Sequence, residues 1–293
     1  MTLATLIPLL VKISIMLMVF AIGLKATFYD AFCLFRRPGQ LARALFGMNV
    51  LMPLFALLLA FTFPLHPAVK LALFALSVSP LPPFLPKTAL KAGGREDYTI
   101  GLLAGSAILS VVLIPVTMEV VGWIAGLPLQ MTAMQVALLA FSSVLIPLLV
   151  GIAVRHLSSS FAERAAKPIT IVALIMLVIP CVPILFTSVR AILTLIGDGT
   201  LLALAAFALV GFIVGHLLGG PEPENRSVLA LATASRHPAV ALAISHHNFP
   251  GQKLAGALVL VYLVLSAILG KTYLSWAKKT QAAEPTSEKQ VEA

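Results

Sequence analysis

Arg236, His237 and Pro238 stand together inside an otherwise apolar run, RSVLALATASRHPAVALAI. A charge at the centre of a bilayer costs about 2.5–3.5 kcal/mol on insertion scales, so such an arginine needs a partner or a wet cavity. Two roles suit it. It can be a fixed cation that faces an anionic substrate or replaces a coupling cation, or a structural group that holds carbonyls freed by a broken helix. Lys87 ends a proline-rich stretch, SVSPLPPFLPK, and offers a second cation. The same lysine also suits a side chain that snorkels to the interface. Hydroxyls flank both positions: Ser77, Ser79 and Thr88 beside the first, Thr233 and Ser235 beside the second. They can bind a substrate oxygen, or bond their own backbone as Ser and Thr in membrane helices do. His237 can carry a proton or act as a structural hydrogen-bonding residue. The candidate substrate-binding residues are therefore Lys87, Thr88, Thr233, Ser235, Arg236 and His237.

Other chemistries lack their residues. Glu119 is the one acidic residue inside an apolar segment, near the end of that segment, where a solvated position competes with a proton site. Paired buried carboxylates, an HExxH motif and a Walker A loop are all absent from the sequence. This counts against an aspartyl or zinc protease and against nucleotide-driven pumping by this chain. His246 and His247 are adjacent but have no third ligand, so no metal is expected and no cofactor is implied. Asn49 and Gln135 are isolated amides suited to helix–helix contacts. Cys33 and Cys181 are far apart and suggest no disulfide framework.

The elements that carry these residues follow from composition. Of 293 residues, 60% are apolar and 11% charged, against about 25% charged in a soluble domain, and the mean hydropathy is +1.03. That charge cannot clothe a soluble protein and the polarity is too low for disorder. The net charge of +9 is spread between apolar runs, unlike a nucleic-acid footprint, so no nucleic-acid partner is expected. Nine apolar segments emerge, near 5–25, 41–63, 68–90, 98–121, 133–154, 168–189, 200–219, 226–246 and 254–276. Continuous apolar runs predict helices, not barrel strands. The first segment reads as a retained helix, not a signal peptide.

Basic residues alternate between loops, which places the N-terminus outside and the C-terminus in the cytoplasm. Segments 3 and 8 differ from the rest. Pro80, Pro82, Pro83 and Pro86 crowd the third, and Pro238 interrupts the eighth. Each proline lacks an N–H and clashes with the preceding turn, so both segments must break near the midplane. Segments 1–4 and 6–9 then form inverted repeats, each with a broken helix in third place. This is the sequence pointer to a secondary transporter with a midplane site. The expected fold is an all-α polytopic membrane protein. Its parts are a first repeat (1–124), a linking span plus inverted second repeat (125–276), and a disordered cytoplasmic tail (277–293).

Three stretches carry a family resemblance. MVFAIGLKATFYDAFCLFRRPGQLARALFGMNVLMPLFALLL and KAGGREDYTIGLLAGSAILSVVLIPVT resemble parts of the bile acid:sodium symporter family. RSVLALATASRHPAVALAI resembles that family's second broken helix and, more distantly, that of arsenite exporters. The resemblance spans residues 10–276. It implies a panel and a core, with the two broken helices crossing in the core, and nine spans would mean that an additional N-terminal helix of some members is absent. Sodium-coupled members carry Gly-Gly followed by Ser-Asn in the first broken helix, where this sequence has Leu81 to Lys87. In the second they carry Glu followed four residues later by Gln-Asn, where this sequence has Ala232, Arg236 and His237. The resemblance thus implies the fold and the transporter class, while the sodium ligands are missing.

The leading expectation is a secondary transporter of a small organic anion, bile-acid-like or another carboxylate. It would work by alternating access without strict sodium coupling, the coupling ion (proton or sodium) being left open. A non-transporting receptor or scaffold of transporter ancestry and an intramembrane enzyme are the alternatives. The expected setting is a plasma or inner membrane, with lipid and the anion as partners.

Overall fold

In the computed structural model, residues 3–82, 85–91, 93–127, 129–195, 198–249 and 251–283 are described. Pro83 lies outside them, as do residues 284–293 of the expected tail, and the side chains of Lys87 and Cys33 are likewise not described. Fourteen helices follow in order: α1 (Leu3–Gly23), α2 (Phe28–Cys33), α3 (Pro38–Phe46), α4 (Met52–Thr62), α5 (Pro67–Val78), α6 (Leu85–Lys91), α7 (Glu96–Ala125), α8 (Ala133–Ala140), α9 (Ile146–Leu157), α10 (Ser159–Leu195), α11 (Thr200–Leu218), α12 (Pro223–Ala234), α13 (Pro238–Asn248) and α14 (Lys253–Ala283). No strand occurs among the described residues, and the protein is an all-α membrane protein.

The expected count of nine spans is not reached by length and composition. Seven helices among the described residues are long and apolar enough to cross a bilayer, or eight if Leu9–Gly23 and Phe28–Arg36, bent by 101°, count as one. The third expected span explains the difference. It divides into α5 and α6, and Pro67–Val78 is too short to cross alone. The last helix also runs on to Ala283, beyond the expected boundary at 276.

Prolines shape the interior of two further spans. Pro53 and Pro147 each follow a π-helical turn, Gly47–Leu51 and Phe141–Leu145, that joins α3 to α4 and α8 to α9. The proline ring clashes with the carbonyl four residues back, and widening the turn by one residue relieves it. The N–H of Met52 then reaches back to Gly47 O. Pro53 has no N–H to give, so the carbonyl of Met48 is left without an intrahelical donor. Local capping sets two helix starts. Thr27 and Asp30 bond each other reciprocally at the head of α2. Gln135, expected as an interhelical amide, instead completes a capping box with Thr132. Asn49 donates to Leu45 O in its own helix.

Helices α1, α9 and α10 pack on one another, while α4, α5, α11, α12, α13 and α14 form a second group. In lipid, helices gain little from hiding apolar faces, so close backbone approach matters. Gly23 and Gly151 let α1 and α9 touch: a Cβ on Gly151 would lie 2.4 Å from Phe20 O. On α11, Gly211, Gly215 and Gly219 form a ridge against Ala234, Ala230 and Arg226 of α12. The span that contains α12 and α13 is 83% buried over its apolar window, against 22% for Ser159–Pro183. The second broken helix is therefore the centre of the bundle, not a lipid-facing wall.

This ridge generates a test. A Cβ at Gly215 would sit 2.3 Å from Leu229 O and 2.5 Å from Ala230 Cα, whereas one at Gly270 meets only Phe212 at 3.6 Å. Gly215→Ala should lower stability by about 1–3 kcal/mol, and Gly270→Ala should leave it within about 0.5 kcal/mol. Thermal unfolding of the two purified variants in nanodiscs measures the difference.

Candidate functional site

The two broken helices meet where the prolines predict. Helix α5 stops at Ser79, whose extended backbone at ψ 144° turns its carbonyl out of the helix. Pro80 and Pro82 lie in the break, and Pro86 falls in the first turn of α6. On the other chain segment α12 stops at Ser235, and α13 restarts with Pro238 at its first position, where a missing N–H is harmless.

Arg236 lies at this meeting point, 3% exposed. Its guanidinium donates through Nη1 to Ser79 O and through Nη2 to Met48 O, both at 3.2 Å. The acceptors are the carbonyl freed at the end of α5 and the carbonyl orphaned by the π turn before Pro53. The backbone N–H of His237 donates to Pro80 O at 3.0 Å. The Tyr262 hydroxyl donates to Ala234 O at 2.6 Å, at the C-terminal end of α12. Four carbonyls that a broken helix would leave bare in lipid are thereby satisfied. The only salt bridge among the described residues joins Arg95 to Asp97, away from this point. Arg236 is thus balanced by carbonyl dipoles and has no carboxylate partner among the described residues.

Three side-chain nitrogens at the crossing have no hydrogen-bond partner among the described residues: Arg236 Nε and both ring nitrogens of His237. The candidate hydroxyls bond locally. Thr233 donates to Leu229 O, Ser77 to Phe74 O, Ser79 to Leu76 O and Thr88 to Leu85 O. Ser235 is half-buried beside Arg236. Of the six candidates, the structure brings Ser235, Arg236 and His237 to the crossing, with Thr233 one turn away. Thr88 sits on α6, and the Lys87 side chain lies outside the described residues. Glu119 is exposed near the end of α7.

A cavity of about 670 Å³ opens between the two helix groups. Its walls come from α1 (Leu9, Lys12, Ile15), α7 (Ile114), the α8–α9 span (Leu139, Ser143), α10 (Pro183, Thr187), α13 (Val240, Leu242) and Gly256 of α14. Val240 is one helical turn from His237, so the cavity reaches close to the crossing. None of the five candidate residues with described side chains, Thr88, Thr233, Ser235, Arg236 and His237, lines it. His246 and His247, both exposed, stand at its rim with Gln252. Lys12 is the residue that reading the sequence for broken helices missed. The signal was present, because LIPLLVKISIMLMVF carries one charge in the middle of an apolar run. Its position between unbroken flanks hid it.

The model of the sodium bile acid symporter family matches residues 12–195. The chain belongs to this family. A comparison with curated proteins returns no match. Membership in the sodium bile acid symporter family makes the chain a multi-pass membrane protein of a transporter family. The matched residues include α5 and α6 and end before α12. The part that carries Arg236 therefore lies beyond the match.

The crossing yields a second test. Tyr262→Phe should cost about 1–3 kcal/mol, since it leaves the buried Ala234 carbonyl without its donor. Arg236→Met should cost more, because it strands two carbonyls on different helices. Arg236→Lys should fall between wild type and Arg236→Met, because an ammonium lacks the planar fork that reaches both. Thermal unfolding of the three variants ranks them.

Proposed function

We propose that this protein is a secondary transporter of a small organic anion that works by alternating access and without obligatory sodium coupling. One observation carries the reading: the Arg236 guanidinium, from the second half, occupies the crossing and takes two carbonyls of the first half, Ser79 O on the first broken helix and Met48 O on the α3–α4 span. Bound sodium would need such oxygens, and here they already serve a tethered cation. Ala232 stands where the sodium-coupled pattern has a carboxylate. A sodium ion about 4 Å from the guanidinium would face roughly 4 kcal/mol of repulsion at an effective dielectric near 20. That is close to a thousandfold in affinity at about 1.4 kcal/mol per tenfold. An organic anion gains from the same charge.

The cavity between the two helix groups supports the alternating-access part. It opens toward the end of the bundle that holds Asn248 and Met131, which hydrogen-bond each other. At the other end the apolar cluster that holds Met18, Ile22, Leu148 and Ile152 of the first group also holds Leu229 and Ala230 of α12, and in this reading it closes the cleft. Basic residues collect at that closed end: Arg155 donates to Leu24 O, and Arg43 and Arg226 both approach Gly220. In this reading the closed end is cytoplasmic by the charge bias of membrane loops, and the cavity faces outward.

The test is uptake of radiolabelled cholate by proteoliposomes, with choline replacing sodium. Uptake in choline should stay within about twofold of that in sodium, as the loss of a cation with negligible affinity implies. Strict sodium dependence overturns the coupling claim. Saturable binding without flux favours the receptor or scaffold alternative.

A further inference from the structure

Among its described lining residues the cavity holds one full positive charge, Lys12, and no carboxylate. Lys12 lies nine positions beyond the start of α1 at Leu3, which at about 1.5 Å per residue is about 14 Å along the helix. Its side chain is exposed where it lines the cavity, and it has no ion-pair partner among the described residues. A charged residue that deep in an apolar helix is retained against an insertion penalty, and the group that offsets it must come from elsewhere. On the π turn that packs against α1, Ser143 also lines the cavity; it is 4% exposed and its hydroxyl has no hydrogen-bond partner among the described residues. Ser143 sits in the π turn before Pro147, which turns an additional residue toward the cavity. An unpaired ammonium and an unpaired buried hydroxyl thus share one space whose walls are mostly apolar, Leu9, Ile15, Leu139 and Ile244 among them, with Thr187, Ser188, Ser245, His246, His247 and Gln252 as its other polar residues.

We infer that Lys12 is the anion-selecting residue of this cavity. It takes the carboxylate or sulfonate of an amphipathic substrate, Ser143 donates to the same group, and the apolar walls hold the substrate's hydrocarbon body. The inference rests on the transport reading above and adds the residue that recognises charge. The volume, about 670 Å³, suits a body of several fused rings or a long chain. A small hydrated anion would leave most of the apolar wall unfilled. Arg236 remains in its carbonyl cage and organises the crossing, while Lys12 meets the ligand.

The experiment is equilibrium binding of radiolabelled cholate to the full-length protein in nanodiscs, with competition by cholate methyl ester and by acetate. On wild type the ester should compete roughly tenfold more weakly than the acid, or worse, and acetate should not compete. Lys12→Gln should weaken cholate binding by roughly tenfold or more with an unchanged melting temperature, and Lys12→Arg should stay within about threefold of wild type. If Lys12→Gln binds cholate as tightly as wild type, the role of Lys12 is overturned and the transport reading stands. If the ester binds wild type as well as the acid does, charge recognition is overturned, and this comparison decides even where Lys12→Gln fails to fold. Wild type that binds neither acid nor ester overturns both this inference and the transport of such anions.

Discussion

A backbone carbonyl in lipid must find a donor within the protein, and a helix that breaks inside a membrane exposes several at once. The architecture turns on that constraint. Two helices break at the centre of the bundle, at Ser79 and at Ser235, and a π turn before Pro53 frees a further carbonyl next to them. Arg236 answers two of these groups with one planar fork, and the Tyr262 hydroxyl and the His237 N–H answer two more. The insertion penalty of the arginine and the desolvation of the carbonyls offset each other. Removing either leaves the other exposed to a low dielectric.

The surrounding packing serves the same point. The glycine ridge of α11 brings its backbone against α12, so the second broken helix is held along its length, not only at its ends. On the far side of the cavity, α1 and α9 are locked by the Gly23–Gly151 approach. The cavity beside the crossing is lined by Lys12, Ser143 and residues of α13. The crossing is buried and held by hydrogen bonds between its helices, and the cavity lies beside it.

Much of this was legible in the sequence because prolines and charges in apolar runs have few explanations. Pro80, Pro82 and Pro238 located both breaks, and Arg236 stood out by its cost. The partner of Arg236 was not legible. Met48 O becomes available only through a π turn, and reading Pro53 as a simple kink gives no reason to connect residues so far apart in the chain. Gly211, Gly215 and Gly219 showed their spacing in the sequence, yet only the structure supplies the facing Ala230 and Ala234. The cavity was hidden for a similar reason. Its walls come from several spans, so no single stretch carries a signature, and Lys12 gains meaning only beside Ser143 and Val240. The hydroxyls of Ser77, Ser79 and Thr233, which suggested ligands, donate to their own helices.

The central claim is that a tethered guanidinium has taken the place of a bound cation. Sodium binding to the folded state would raise its stability by mass action, by about 2.7 kcal/mol at a hundred times the dissociation constant. The direct measurement is thermal unfolding of the wild-type protein in nanodiscs as sodium replaces choline at constant ionic strength. The account predicts one melting temperature across the whole titration. A saturable rise specific to sodium would contradict it.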